Sequence, residues 1–119
     1  MPNPVVHFEI ASSGAENLQK YYADLFKWDI DASNPMGYGV VDTKSEGGIN
    51  GGISGTNGGP NRVAFYVEVE DIEAKLKDAE ELGGSVVVPV TTIPGMVTFA
   101  MFADPEGNCI GIVSSETPG

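Results

Sequence analysis

The chain has 119 residues, the length of one ordinary domain, and its 41% hydrophobic and 19% charged content is globular rather than disordered. Seventeen Asp and Glu stand against six Lys and Arg, a formal charge of −11. No basic cluster is present to neutralise phosphates, which excludes nucleic acid as a partner and sets the chain against an anionic membrane surface.

Sixteen glycines and eight prolines point to many strands joined by turns. Apolar runs such as residues 86–88 are strand-sized, too short to span a bilayer, so no membrane is expected as a partner. A single cysteine, Cys109, permits neither an internal disulfide nor a cysteine-based zinc site, and its place in a strand predicts an inert small residue. Residues 1–7 carry no basic and apolar leader pattern, so the expected compartment is the cytoplasm.

Residues 5–10 alternate, with Val6, Phe8 and Ile10 on one face and Val5, His7 and Glu9 on the other, which predicts a strand. Ser13 followed by Glu16 matches a capping box, and Leu18, Tyr21, Tyr22, Leu25 and Phe26 at helical spacing predict a helix over about 15–26. Its aromatic residues, with Trp28, read as packing rather than ligand contacts. Extended segments follow at 28–32, 38–43 and 49–54, with a turn at 34–37 between the first two. Residues 55–61 have the composition of a linker.

The pattern then restarts. Residues 62–69 alternate, with Arg62, Ala64, Tyr66 and Glu68 sharing one face. Asp71 is placed to cap a helix carrying Ile72, Leu76, Ala79 and Leu82, stopped by Gly83 and Gly84. Strands fit 85–90, 96–103 and 108–113, and Asp104, Pro105, Glu106 and Gly107 suit a tight turn between the last two. The order βαβββ therefore occurs twice. A shift of 57 (72 − 15) lays Ala15 on Ile72, Leu25 on Leu82 and His7 on Ala64. The expected organisation is one α+β domain: module one over about 5–54, linker over about 55–61, module two over about 62–114.

With these elements in place the chain resembles the vicinal oxygen chelate superfamily, which includes glyoxalase I, bleomycin-resistance proteins and extradiol dioxygenases. The resemblance is carried by Val6-His7-Phe8-Glu9-Ile10, Tyr21-Tyr22 before Leu25-Phe26-Lys27-Trp28, Val69-Glu70-Asp71-Ile72-Glu73-Ala74, Leu82-Gly83-Gly84 and Phe102-Ala103-Asp104-Pro105-Glu106-Gly107-Asn108. Ile49-Asn50-Gly51-Gly52, Val88-Pro89 and Ile93-Pro94-Gly95 are similar to small stand-alone members related to lactoylglutathione lyase. What the resemblance implies is two βαβββ modules forming a curved mixed sheet around a cleft, usually in a homodimer. A divalent metal would sit in that cleft, held by the first and last strands of each module and acting as a Lewis acid.

The ligand positions so implied fall on His7, Gly52, Ala64 and Gly111, of which only His7 can coordinate a cation. No cofactor is therefore expected, and a divalent metal would need His7 to be supplemented by other ligands. His7 and Glu9 share a face two residues apart, the spacing at which a carboxylate tunes an imidazole for acid–base work, and they are the candidate catalytic pair. Arg62, the one arginine, could take a ligand carboxylate in bidentate fashion or a surface salt bridge. Tyr38, Tyr66, Phe99 and Met101 could line an apolar pocket. No phosphate-binding glycine loop and no Gly-x-Ser-x-Gly elbow occurs. Two functions follow: a metal-independent module binding a small organic ligand as bleomycin-resistance proteins do, or a lactoylglutathione-lyase-related or dioxygenase-like enzyme using His7 and Glu9.

Overall fold

The computed structural model describes residues 2–35, 37–56, 58–94 and 97–114, so the expectations for Met36, Asn57, Gly95 and Met96 fall outside the described residues. In chain order the elements are β1 (Val5–Ala11), α1 (Ala15–Phe26), β2 (Asp29–Asp31), β3 (Gly39–Asp42), β4 (Asn50–Ser54), β5 (Arg62–Val69), α2 (Ile72–Glu81), β6 (Ser85–Ile93), β7 (Val97–Ala103) and β8 (Cys109–Ser114). This is an α+β chain with βαβββ written twice. Two compact units divide it: Val6–Ala64 is the first, and the other described residues make the second.

Each unit follows one plan. In the first, β4 lies between β1, its parallel partner, and β3, its antiparallel partner, and β2 pairs outside β3. In the second, β8 lies parallel to β5 and antiparallel to β7, and β6 pairs outside β7. Matching order and direction confirm the repeat that the alternation predicted. The registers also pick out equivalent glycines. Gly52 on β4 lies between Glu9 and Val40, and Gly111 on β8 lies between Tyr66 and Met101. By that register Tyr66 is the counterpart of Glu9, and Phe99 that of Tyr38.

Local chemistry explains the boundaries, with two departures. At the start of α2 the Asp71 carboxylate accepts the Ala74 N–H at 3.1 Å, as the sequence predicts, and Gly83 takes φ 107° just past the helix end. The Asp104 turn also forms as expected. Its carboxylate accepts the backbone N–H groups of Asn108 and Glu106, Gly107 takes φ 89°, and the Asn108 bonds hold the Asp104 carboxyl below its ordinary value.

The capping box does not form. The N-cap of α1 is Gly14 without a side-chain cap, because Ser12 Oγ accepts the Gly14 N–H and the Ser13 N–H is turned to Asn61 Oδ1. Strand β6 outruns its expected end at residue 90. It continues through Pro89 to Ile93 with register shifts on either side of Val88, the irregular edge pairing that a residue without an N–H requires.

The cores differ between the units. In the second, Val69, Ile72, Leu76, Ala100 and Ile112 are buried together, with Val67, Val90 and Phe102 packed on them. In the first, Val41 and Ile53 are fully enclosed, yet α1 has no buried residue. The expectation of a packed aromatic helix face is therefore corrected in part. Tyr22, Phe26 and Trp28 stack on one another at 5.0–5.9 Å and Phe8 meets Trp28 at 5.4 Å, but Tyr21, Leu25 and Phe26 keep more than half their surface exposed. Part of the anchoring of α1 is polar: Gln19 Nε2 donates to the carbonyls of Ile53 at 3.0 Å and Gly37 at 3.3 Å.

Candidate functional site

Four of the side chains singled out by sequence come together in the first unit. Strand alternation puts His7 and Glu9 on one face of β1, two residues apart. Tyr38 reaches them from the segment before β3, where Asn34 clamps its backbone: Asn34 Nδ2 donates to the Tyr38 carbonyl at 2.6 Å and the Tyr38 N–H donates to Asn34 Oδ1 at 3.0 Å. The clamp directs the phenol across β4. Its hydroxyl lies 3.0 Å from His7 Nε2 and donates to Glu9 Oε2 at 3.3 Å. Arg62, at the start of β5, brings its guanidinium to 3.8 Å from Glu9 Oε1. The Glu9 side chain is only 13% exposed, so it is far more sheltered than a surface ion pair normally is.

The phenol takes this path because residue 52 is glycine. A Cβ at Gly52 would overlap the Tyr38 hydroxyl and ring. A second tyrosine sits in the same relation to the equivalent glycine of the second unit. Tyr66 crosses Gly111, where a Cβ would overlap its ring, and its hydroxyl meets Met101 Sδ at 3.8 Å on the neighbouring strand. Phe99 meets the Tyr66 ring edge-on at 6.4 Å. Tyr66 and Met101 are 6% and 1% exposed, so they are packed within their unit and offer almost no surface. Cys109 is half-buried at the start of β8.

Two cavities among the described residues lie away from His7, Tyr38 and Glu9. One of about 570 Å³ lies against α2 in the second unit, with Val69, Leu82, Phe102 and Ile112 among its walls. A smaller one of about 340 Å³ in the first unit touches Ile10, Leu18, Asn61 and Arg62.

A family model described as a glyoxalase-like domain matches residues 7–113. The chain belongs to that family. Solved structures of the glyoxalase/bleomycin resistance/dioxygenase (vicinal oxygen chelate) superfamily share the fold. A glyoxalase/bleomycin resistance protein/dioxygenase superfamily member from Vibrio splendidus is 17% identical, with 96% of this chain and 100% of that one covered and a TM-score of 0.64. Methylmalonyl-CoA epimerase from Mycobacterium tuberculosis is 12% identical over 97% of this chain and 87% of its own, with a TM-score of 0.65. The Mn(II)-bound glyoxalase from Novosphingobium aromaticivorans is 15% identical, with 99% of this chain and 42% of that one covered and a TM-score of 0.66. At these identities the likeness is one of fold. No curated protein matches.

Glyoxalase-like resemblance brings a divalent metal into question, and the donor set decides how well one would fit. Of the four positions the resemblance assigns to ligands, Gly52, Ala64 and Gly111 carry no donor, and His7 alone does. Among the described residues no group of three or more His, Cys, Asp or Glu is placed to hold a metal ion. Glu9 shares the face of His7, but its carboxylate is already met by a phenol hydroxyl and a guanidinium. A divalent cation needs several such side chains converging on one point, and these residues do not fit it.

Burial pushes the His7 imidazole below its ordinary value, since a desolvated site disfavours the cation. Well above pH 6.5 both folded and unfolded chains hold His7 neutral and it contributes nothing to the pH dependence. As the pH falls through 6.5 the unfolded chain takes the proton first, so stability drops until the lowered folded value is passed, with a slope of at most about 1.4 kcal/mol per pH unit. Urea denaturation between pH 7.5 and 5 should show this fall, and His7→Gln should flatten it. His7 is the only histidine, so no other imidazole confounds the comparison.

Asn34 and the two glycines are the residues that sequence reasoning did not credit. Glycine inside a strand signals a close approach, and at 52 and 111 the approaching group is a tyrosine ring.

Proposed function

We propose that this glyoxalase-like chain binds a small organic molecule at the His7–Tyr38–Glu9–Arg62 cluster without a resident divalent cation. The observation that carries the reading is the Tyr38 hydroxyl seated over Gly52 between an imidazole and a carboxylate. That arrangement offers a hydroxyl, an imidazole nitrogen and a carboxylate–guanidinium pair side by side on one sheet face. Such a set suits an organic molecule bearing carbonyl or hydroxyl oxygens, which exchanges hydrogen bonds with it. In this reading the chain works as a cytoplasmic homodimer in the manner of bleomycin-resistance proteins. Exposed Tyr21, Leu25 and Phe26 supply apolar surface for a second copy, and light scattering of the purified protein checks the dimer.

One specific observation favours a second reading, a lyase- or isomerase-type enzyme. The Tyr38 hydroxyl links His7 Nε2 to Glu9 Oε2, a hydrogen-bonded chain through which a proton can pass between a bound molecule and the carboxylate. The deciding experiment uses chelator-treated, untagged protein against a panel of small carbonyl and phenolic compounds, bleomycin included, with binding followed by calorimetry and turnover by product analysis. Saturable binding in the presence of EDTA without turnover is expected. Turnover that vanishes in a folded His7→Ala variant would replace the first reading with the second.

A further inference from the structure

The two glycine–tyrosine pairs carry an inference beyond ligand binding, one that rests only on the metal-free part of that reading. Gly52 and Gly111 stand at the last-strand positions that the resemblance gives to chelating carboxylates, and each is roofed by a phenol ring. Two independent routes deliver those rings. Tyr38 comes from the strand-entry segment on the β3 side, held by Asn34, whereas Tyr66 comes from the opposite neighbour, β5. Each hydroxyl then bonds to a side chain beyond its glycine: His7 and Glu9 in one unit, Met101 in the other. An accidental loss of a carboxylate would leave a hole beside the glycine; here the volume is filled and its polar end satisfied.

We propose that Tyr38 on Gly52 is a built replacement for the missing chelating side chain: the phenol occupies the space of a carboxylate at 52 and closes the His7–Glu9 face to divalent cations. Chelation at that face then requires two changes together, removal of the phenol and return of a carboxylate. Gly52 is the register partner of Glu9 on the adjacent parallel strand, so a glutamate at 52 would stand beside Glu9 and one step from His7. With Tyr38 gone, that would give one imidazole and two carboxylates on a single face, a donor set that binds divalent ions.

The test is calorimetric titration of untagged, EDTA-treated full-length protein with nickel chloride alone. The unaltered chain and Gly52→Glu should show no saturable binding at millimolar nickel. Tyr38→Ala/Gly52→Glu should bind about one ion per chain, and adding His7→Ala should abolish it. Binding by the unaltered chain as tight as that of the double variant overturns the proposal, and so does a folded double variant that binds none. A cycle of melting temperatures keeps it falsifiable if that variant does not fold. Gly52→Ala should lower the melting temperature by roughly 5–15 °C, and Tyr38→Ala in the same chain should recover most of that loss. Additive losses would show that the ring is not seated on the glycine. Neither arm uses an organic ligand, so the outcome is independent of whether one is found.

Discussion

Gly111→Ala is expected to destabilise the chain by about 3 kcal/mol, the upper range for forcing an extra group into a packed core. Gly111 lies on β8 between Tyr66 on β5 and Met101 on β7. The Tyr66 ring lies directly over its α-carbon, where a methyl group would overlap three ring atoms. A flexible neighbour could swing aside, but Tyr66 is enclosed, its hydroxyl is engaged by Met101, and Phe99 closes on its edge. Strain therefore has to pass into the backbone pairing of β5 with β8 or eject the ring into solvent. Chemical denaturation measures the loss, and Gly47→Ala is the control, because nothing lies within 4 Å of a Cβ there. A Gly111→Ala chain as stable as the Gly47→Ala chain would show that the ring does not lie over β8.

Ile53→Ala should cost about 3–4 kcal/mol, by the opposite mechanism. Ile53 on β4 is completely enclosed, paired with Ile10 on β1 and Gly39 on β3, and its carbonyl takes the Gln19 side chain that ties down α1. Removing its side chain leaves a cavity in the core around Val41 and Ala11, and the lining groups lose their contacts there. Val63→Ala on the 75%-exposed Val63 should change stability by less than about 0.5 kcal/mol under the same conditions. Equal losses at the two positions would contradict the placement of the first unit's core.

Much of the architecture was legible because it is written in short periods. Twofold alternation over β1 and β5, the Asp71 cap and the Asp104–Gly107 turn each depend on residues within a few positions of one another, and each forms as read. Long reach was harder to see. Tyr38 meets His7 across 31 positions, and its direction is set by the Asn34 clamp, which composition and periodicity do not register. Residues 15–26 and 72–81 carry similar helical periodicity, yet only α2 encloses residues fully (Ile72 and Leu76) while Leu18 and Tyr22 of α1 are half-buried, since burial depends on what the sheet presents to the helix. Among the candidate site residues, the shared face of His7 and Glu9 followed from alternation. Tyr66 and Met101, both candidate pocket residues, meet across a small central-strand glycine, a contact that register sets and alternation alone does not reveal.

The central claim is that an organic molecule engages the His7–Tyr38–Glu9 cluster with no divalent cation present. Nitrogen-15 NMR of chelator-treated protein, titrated with carbonyl- and phenol-bearing fragments, tests it most directly. The predicted result is a set of saturable shifts at the His7 imidazole and at the backbone of Glu9, Gly52 and Arg62, abolished by Tyr38→Ala. Shifts that arise only after a divalent ion is added, or that fall around Leu82 and Phe102 beside α2, would contradict it.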